Sequence, residues 1–150
     1  TIEGDAVNGA KNVEVIIGTP IQEVLDFCGG VRDDAAKVLM GGPMMGIAVP
    51  STDLPVLKQN NAILVFSERR AHLPKPSACI RCGRCIEACP MGLSPVEIAG
   101  AYNRGDVDAL NAMTVDLCMS CGCCTFVCPA KRPVAQTMNQ AKVMQKKGGK

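Results

Sequence analysis

The chain has 150 residues, 16 of them basic and 14 acidic, and a formal net charge of +2 at pH 7. Acidic and basic residues are interleaved along it, which argues against a nucleic-acid-binding protein, because such proteins concentrate basic residues. Its longest uninterrupted apolar run, residues 62–66, is too short for a membrane-spanning helix, which needs about 20 apolar residues. With no Trp, three Phe and one Tyr, the core must be aliphatic and small. Small cores usually depend on disulfides or bound metal.

The amino terminus carries no recognisable targeting signal. The first residue is Thr1, and no basic stretch followed by an apolar one lies near it. We therefore interpret the chain as an unsecreted piece of a longer protein. In such a protein, ten cysteines indicate metal ligation rather than disulfides.

The first part of the chain has a mixed β and α pattern. Strands are predicted where apolar residues alternate with polar ones or run together, at residues 1–7, 13–17, 37–40 and 62–66. The segment 41–46, GGPMMG, contains too much Gly and Pro for regular structure. Its glycines could let a ligand approach closely, but the segment has no charged or aromatic residue, so a tight turn is favoured.

One helix is predicted in this part. Thr19 is expected to cap it, with Pro20 at its first position and Gln22 completing a capping box. Gly29 ends the helix. Four residues at helical spacing form one apolar face: Ile21, Val24, Leu25 and Cys28. We expect Cys28 to lie in the core rather than to bind metal.

The second part is predicted to be helical between its cysteines. Ser94 and Glu97 form another capping box, which predicts a helix over residues 95–103. Asp106 is expected to cap a short helix, and Pro133 to begin the last one.

Eight cysteines form two runs of one pattern, C-x2-C-x2-C-x3-C-P. The first run is Cys79, Cys82, Cys85 and Cys89, and the second is Cys118, Cys121, Cys124 and Cys128. Each cysteine of the second run follows its counterpart by 39 residues, so the chain repeats a ligand set. This pattern is typical of [4Fe–4S] ligation in bacterial-type ferredoxins, where the fourth cysteine binds the other cluster.

The spacing has a geometric reason. Three thiolates on a tight turn can bind three irons of one cubane, whereas the fourth, after a short helical step, points toward the other repeat. One cluster is therefore assigned to Cys79, Cys82, Cys85 and Cys128. The other is assigned to Cys118, Cys121, Cys124 and Cys89. Such cross-ligation makes the two clusters neighbours, which suits electron relay.

Two other uses of these cysteines are disfavoured. Structural zinc sites use pairs of C-x2-C but rarely a third evenly spaced cysteine followed by C-P. Disulfides require close, defined pairs and an oxidising compartment. The additional Cys123 is expected to pack near the second cluster, with substitution as a ligand as the alternative.

Basic residues lie inside the first run, at Arg81 and Arg84, and directly after the second run, at Lys131 and Arg132. They could raise a cluster's reduction potential, guide an acidic electron partner or form a solvated face. Paired carboxylates, a nucleophile elbow, G-x-G-x-x-G and a P-loop are absent from the sequence, so no bond-making catalysis is predicted.

The two runs, CIRCGRCIEACPMGLSP and CMSCGCCTFVCPAKRP, resemble the C subunit of Rnf-type electron-transport complexes, which are ferredoxin:NAD oxidoreductases. GDAV from Gly4, VEVIIGTPIQEVL from Val13 and MGGPMMG from Met40 resemble the SLBB domain of that family, a β-grasp module. The resemblance covers about residues 1–140. It implies an α+β fold in four segments: an SLBB-like β-grasp domain at 1–67, a linker at 68–76, an α-helical ferredoxin domain with two [4Fe–4S] clusters at 77–145 and a frayed tail at 146–150.

The resemblance also implies a function. The chain is expected to relay single electrons within a membrane complex that couples electron flow between ferredoxin and NAD to sodium or proton movement. FMN and NAD are expected only in a missing N-terminal part, so this piece is expected to be non-catalytic. A bacterial protein bound peripherally on the cytoplasmic side of the cell membrane is implied, with other subunits as partners, among which a ferredoxin-like subunit is one candidate.

Two alternatives stay open. One is a cobalamin reductase-type protein with a ligand-binding β-grasp domain, which the shortage of aromatic residues for stacking disfavours. The other is that the clusters only hold a weak fold together.

Overall fold

A four-stranded mixed sheet organises the first part of the chain. Its strands are β1 (Ile2–Glu3), β2 (Ala35–Met40), β3 (Ile47–Ala48) and β4 (Ile63–Ser67). Their order across the sheet is β1-β4-β2-β3, with β1 parallel to β4 and the other two pairs antiparallel. The computed structural model describes residues 1–148.

The core of this part lies between the sheet and helix α1 (Ile21–Phe27). The predicted apolar face of α1 is buried and packs with Ile63 and Val65 of the central strand β4. Cys28 follows the helix and is only 1% exposed, so it lies in the core as predicted. Each buried Leu, Ile or Val side chain contributes about 1.5–3 kcal/mol to such a core.

Two predicted strands differ from the structure. Residues 13–17 form no strand, yet Val13 and Val15 still pack partly buried against the core, so their alternation reflects burial rather than sheet pairing. The strand predicted at 1–7 is reduced to β1 because Gly4 has a φ of +124° and turns the chain. A side chain at Gly4 would collide with the backbone of Val65.

The capping box predicted at α1 is wrong. The helix begins one residue later, and Thr19 makes no capping bond. Instead, the Ile21 N–H donates to the Leu54 carbonyl at 3.0 Å and the Gln22 N–H to the Thr52 carbonyl at 2.9 Å. A segment about 30 residues further along the chain thus satisfies the helix N–H groups that a cap would serve.

The Gly-rich segment 41–46 is a tight turn between β2 and β3. The Gly46 N–H donates to the Gly42 carbonyl at 2.7 Å, and Gly41 has a φ of +104°. A side chain at Gly46 would meet the Gly42 carbonyl oxygen, so glycine is required for this close approach.

The chain divides into two compact units, Thr1–Leu73 and Pro74–Lys150. The boundary falls within the segment predicted as a linker. Part of that segment is helix α2 (Glu68–Ala71), whose last carbonyl accepts a hydrogen bond from Lys37 Nζ at 2.7 Å.

The second unit is helical. Its elements are α3 (Arg84–Glu87), α4 (Pro95–Arg104), α5 (Val107–Ala112), a 3-10 turn (Val115–Leu117), α6 (Cys123–Phe126) and α7 (Val134–Gly148). The long helices α4 and α7 pack together and bury Ile98, Ala101, Met138 and Ala141 in an aliphatic core. No helix within residues 1–148 is long and apolar enough to cross a membrane.

The predicted helix boundaries in this unit are largely correct. Asp106 caps α5 by accepting from the Ala109 N–H at 2.9 Å. The capping box of Ser94 with Glu97 is wrong: the Ser94 hydroxyl is buried without a partner among residues 1–148, so it accepts no hydrogen bond from the first N–H groups of α4. Helix α7 continues through Gly148, whereas fraying was predicted from residue 146, and residues 149–150 lie outside the described part.

Candidate metal centre

The two cysteine runs have the same backbone conformation. Helices α3 and α6, and the starts of α4 and α7, are each 39 residues apart. Left-handed residues recur at the same spacing, in three pairs: Arg81 and Ser120 at 53° and 58°, Gly83 and Gly122 at 78° and 82°, Gly92 and Lys131 at 64° and 53°. The repeat in sequence is therefore also a repeat in structure.

A single helical turn in each run separates the fourth cysteine from the first three. In the first run, the left-handed Gly83 accepts a hydrogen bond from the Ile86 N–H at 2.8 Å, and Ile86 accepts one from the Cys89 N–H at 3.1 Å. The corresponding distances in the second run are 3.0 and 3.2 Å. This turn carries the fourth cysteine away from its own loop.

A cavity of about 580 Å³ brings together one set of four cysteines. They are Cys79, Cys82, Cys85 and Cys128, the set that the sequence assigns to the first cluster. Burial raises the pKa of the Cys85 thiol, and the nearby Cys79 and Cys128 raise it further. A hydrogen bond from the Val96 N–H, at the start of α4, partly offsets this rise by lowering the same pKa.

A second, much narrower cavity of about 20 Å³ brings together the other set: Cys89, Cys118, Cys121 and Cys124. Burial raises the pKa of Cys124 to about 11, with further contributions from Cys118 and Cys121. Cys123 lines the same cavity. A hydrogen bond with Cys121 is the main cause that raises the pKa of the Cys123 thiol.

Each set of four thiols fits a [4Fe–4S] cluster in number and in chemistry. Soft thiolate ligands bind iron–sulfur clusters, and cluster binding would displace protons from thiols whose pKa is raised. Within residues 1–148, no group of three or more His, Cys, Asp or Glu side chains could hold a single metal ion. The ligands of a cubane bind separate irons and so stand further apart than those of one ion.

The surroundings of the two cavities differ in ways that the sequence only partly indicates. Arg104, at the end of α4, lines the first cavity together with Arg81, Arg84 and Arg132, and sequence reasoning missed it. Its position depends on how the ten residues of α4 cross the cysteine loop, which no local motif indicates. Lys131, which the sequence suggested, does not line either cavity.

The backbone of the second loop is also held by α7. Lys142 Nζ donates to the Cys118 carbonyl at 2.7 Å, and the Ser120 hydroxyl donates to Asn139 Oδ1 at 2.6 Å. The Ala135 N–H at the start of α7 donates to Thr125 Oγ1 at 2.7 Å. These bonds fix the second loop against the last helix.

Two protein families match the chain. The SLBB domain matches residues 1–48, and the 4Fe-4S dicluster domain matches residues 73–129. The fold is α+β, and its first unit is similar to an SLBB domain and its second to a 4Fe-4S dicluster domain.

Curated relatives share one description. The C subunit of the ion-translocating oxidoreductase complex of Rhodobacter capsulatus is 38% identical over 108 residues, which are 72% of this chain and 21% of that protein. The C subunit of the proton-translocating ferredoxin:NAD(+) oxidoreductase complex of Clostridium ljungdahlii is 45% identical over 95 residues. These residues are 63% of this chain and 21% of that protein. The C subunit of the ion-translocating oxidoreductase complex of Methanosarcina acetivorans is 38% identical over 143 residues, which are 95% of this chain and 32% of that protein. The chain thus spans about a fifth to a third of the length of these relatives.

Proposed function

We propose that this chain, which is homologous to the C subunit of ion-translocating oxidoreductase complexes, relays single electrons through two [4Fe–4S] clusters. The observation that carries the proposal is the arrangement of eight cysteines around two cavities. Each cavity takes three cysteines from one run and one from the other.

The first cluster is proposed to bind Cys79, Cys82, Cys85 and Cys128. The second is proposed to bind Cys118, Cys121, Cys124 and Cys89. Pro95 lines both cavities, so the cavities are adjacent, and clusters held there would be close neighbours. When bound, the clusters supply one-electron redox chemistry. The chain supplies the ligands, their spacing and a partly buried environment.

The wider role is part of the same proposal. The relatives' names describe complexes that translocate ions and transfer electrons between ferredoxin and NAD(+). We place this chain in such a complex, peripherally on the cytoplasmic side of the membrane, with the other subunits as partners. The first unit is proposed to be a β-grasp domain. FMN and NAD are assigned to other parts of such a protein, and the residues here are proposed to hold only the clusters.

The first experiment is anaerobic purification with metal analysis. We expect a brown protein with about eight irons and eight acid-labile sulfides per chain, as two [4Fe–4S] clusters require. Potentiometric titration should then show reversible one-electron reduction of both clusters. A colourless protein with stoichiometric zinc would refute the proposal. Clusters that cannot be reduced reversibly would instead indicate a purely structural role.

The same sample distinguishes the cobalamin reductase-type alternative. Cobalamin added to the chain is expected to leave both its own spectrum and the melting temperature of the protein unchanged. A saturable spectral shift would favour a ligand-binding first unit.

A further inference from the structure

The two cavities have different charges around them. Four arginines line the first: Arg81, Arg84, Arg104 and Arg132. Within residues 1–148, Glu97 is the only acidic residue that lines it. No charged residue in the same range lines the second cavity, whose walls are mainly cysteine, methionine, proline and small side chains, and Lys142 places a charge beside its loop by donating to the Cys118 carbonyl. We call the four arginines the basic rim.

The rim is not required by the backbone geometry of the cysteine loops. Arg81 and Ser120 are equivalent in the repeat, and both have the same left-handed conformation, with φ of 53° and 58°. Arg84 and Cys123 are also equivalent, at the first position of α3 and of α6. The two cysteine loops thus have the same conformation with and without arginine at these positions. The charge of Arg81 and Arg84 is therefore not needed to place the cysteine thiols.

The rim comes from three separate segments of the chain. Arg81 and Arg84 lie on the first cysteine loop, Arg104 ends α4, and Arg132 precedes α7. Three of the four are exposed and Arg132 is half-buried. Within residues 1–148, the ion pair that the structure contains is Arg32 with Asp34. The rim arginines are therefore not neutralised by an ion pair within the described chain.

The first cavity is also the more accessible one. Cys79 and Cys82 are exposed, whereas Cys124 of the second cavity is buried. An oxidised [4Fe–4S] cluster with four thiolates carries a charge of about −2. The four guanidinium groups exceed this charge and that of Glu97 together, so the face remains positive around a bound cluster.

We propose that the basic rim is the docking surface for a one-electron redox protein whose surface is acidic around its own redox centre. This inference rests on the proposed function, because it assumes a cluster in the first cavity. Oppositely charged faces steer two proteins into a productive encounter and raise the association rate. The exchange moves one electron: the carrier loses one and the first cluster gains one, or the reverse, and no bond is made or broken.

The test uses the full chain with its clusters and two probes, reduced flavodoxin as an acidic carrier and cytochrome c as a basic one. A rim variant combines Arg81→Asn, Arg84→Gln, Arg104→Gln and Arg132→Gln. Asparagine is chosen at residue 81 because it tolerates the left-handed conformation. A control variant removes the same charge elsewhere, by Lys58→Gln, Arg69→Gln, Lys146→Gln and Lys147→Gln.

Three quantities are measured on each protein: the dissociation constant for oxidised flavodoxin by calorimetry, the electron-transfer rate constant by stopped flow against ionic strength, and the cluster potentials. We expect the rim variant to bind flavodoxin about tenfold or more weakly at low salt and to transfer electrons correspondingly more slowly. The difference should shrink as salt is added. The control should stay within about twofold of wild type, and cytochrome c should show no loss with the rim variant.

Binding and rates that are equal in the rim and control variants would overturn the proposal. So would a rate loss that is independent of salt and follows a change in cluster potential, because the arginines would then act on the cluster and not on a partner. Iron and sulfide counts on every variant separate this result from failure of the proposed function. If all variants hold full clusters and the rim substitutions change neither flavodoxin binding nor the electron-transfer rate, only the docking proposal is refuted. If the wild-type protein lacks clusters, the electron relay itself is refuted.

Discussion

Cys89 and Cys128 hold equivalent positions in the two cysteine runs, 39 residues apart, and each lines the cavity formed by the other run. Neither run has four thiols at its own cavity. The two runs therefore depend on each other for a complete ligand set, and this dependence can be tested with paired substitutions.

Pairs of substitutions should show whether the ligands of each cluster come from one cavity or from one cysteine run. In Cys89→Ser with Cys121→Ser, both changes fall at the second cavity, so one cluster and about four irons should remain. In Cys89→Ser with Cys82→Ser, both changes fall in the first run but at different cavities, so both clusters should be impaired. Iron analysis and electron paramagnetic resonance of the reduced protein would measure this.

Cys123 supplies the matched control for these variants. It lies beside Cys124 and lines the second cavity, but it is not in the proposed ligand set. Cys123→Ala should therefore retain about eight irons. Loss of four irons in the Cys123→Ala variant would mean that Cys123 is a ligand. Retention of four irons in the variant that combines Cys89→Ser with Cys82→Ser would contradict cross-ligation.

Removal of the clusters should unfold the second unit selectively. Its aliphatic core is small, and Cys85, Cys89, Cys118 and Cys128 pack against it, so bonds from these thiolates to the proposed clusters would add to the stability that core burial provides. After iron is chelated under a mild oxidant, we expect loss of helical circular dichroism. Proteolysis should then leave a resistant fragment close to Thr1–Leu73. Equal resistance of both units would show that the clusters are not needed for folding.

Gly4 should be intolerant of any side chain. Gly4→Ala would place a methyl group against the Val65 backbone at a φ of +124°, so we expect a loss of at least about 3 kcal/mol from combined strain and overlap. Gly18 has a φ of +100°, but a methyl group added there would meet nothing within 4 Å. Gly18→Ala should therefore cost only about 1–2 kcal/mol, from the backbone conformation alone. Urea unfolding of the two variants gives the comparison, and equal losses would exclude the overlap with Val65.

Asp5 should make the first unit sensitive to acid. Its carboxylate accepts hydrogen bonds from the Ser67 hydroxyl at 2.7 Å and the Ser67 N–H at 3.1 Å. These bonds, with the charge of Arg70, lower the pKa of Asp5 below its ordinary 3.8. The ionised carboxylate is thus favoured in the folded state, so its stabilising effect is full above pH 3.8 and is lost as the pH falls through the lowered native pKa.

Nuclear magnetic resonance of the Asp5 carboxyl carbon measures this directly. We expect its titration midpoint below 3.8, and Ser67→Ala should return it toward that value. A midpoint of Asp5 that Ser67→Ala leaves unchanged would contradict the hydrogen-bond explanation.

Much of the second unit could be predicted from sequence because its signals are local. The cysteine spacing and the helix-start signals at residues 95 and 106 act within a few residues, and α4 and α5 begin where they indicate. The grouping of the eight cysteines at two cavities is also what the repeat predicts, although their binding of iron remains a prediction.

Features that depend on distant segments could not be predicted. The N–H groups at the start of α1 bond to carbonyls of Thr52 and Leu54, so the local capping signal at Thr19 was misleading. Val13 and Val15 alternate as a strand would, but no neighbouring strand pairs with them. Arg104 reaches the first cavity only through the packing of a whole helix, so the size of the basic rim became visible only in the fold.

Because Cys89 and Cys128 each line the cavity of the other run, the order in which residues are synthesised determines when each set of four thiols is complete. A nascent chain acquires the whole first run by residue 89, yet the second cavity lacks its four thiols until Cys124 is added and the first until Cys128 is added. The two proposed clusters would therefore be inserted late and at nearly the same stage. By that stage the first unit, which ends at Leu73, has already been made in full.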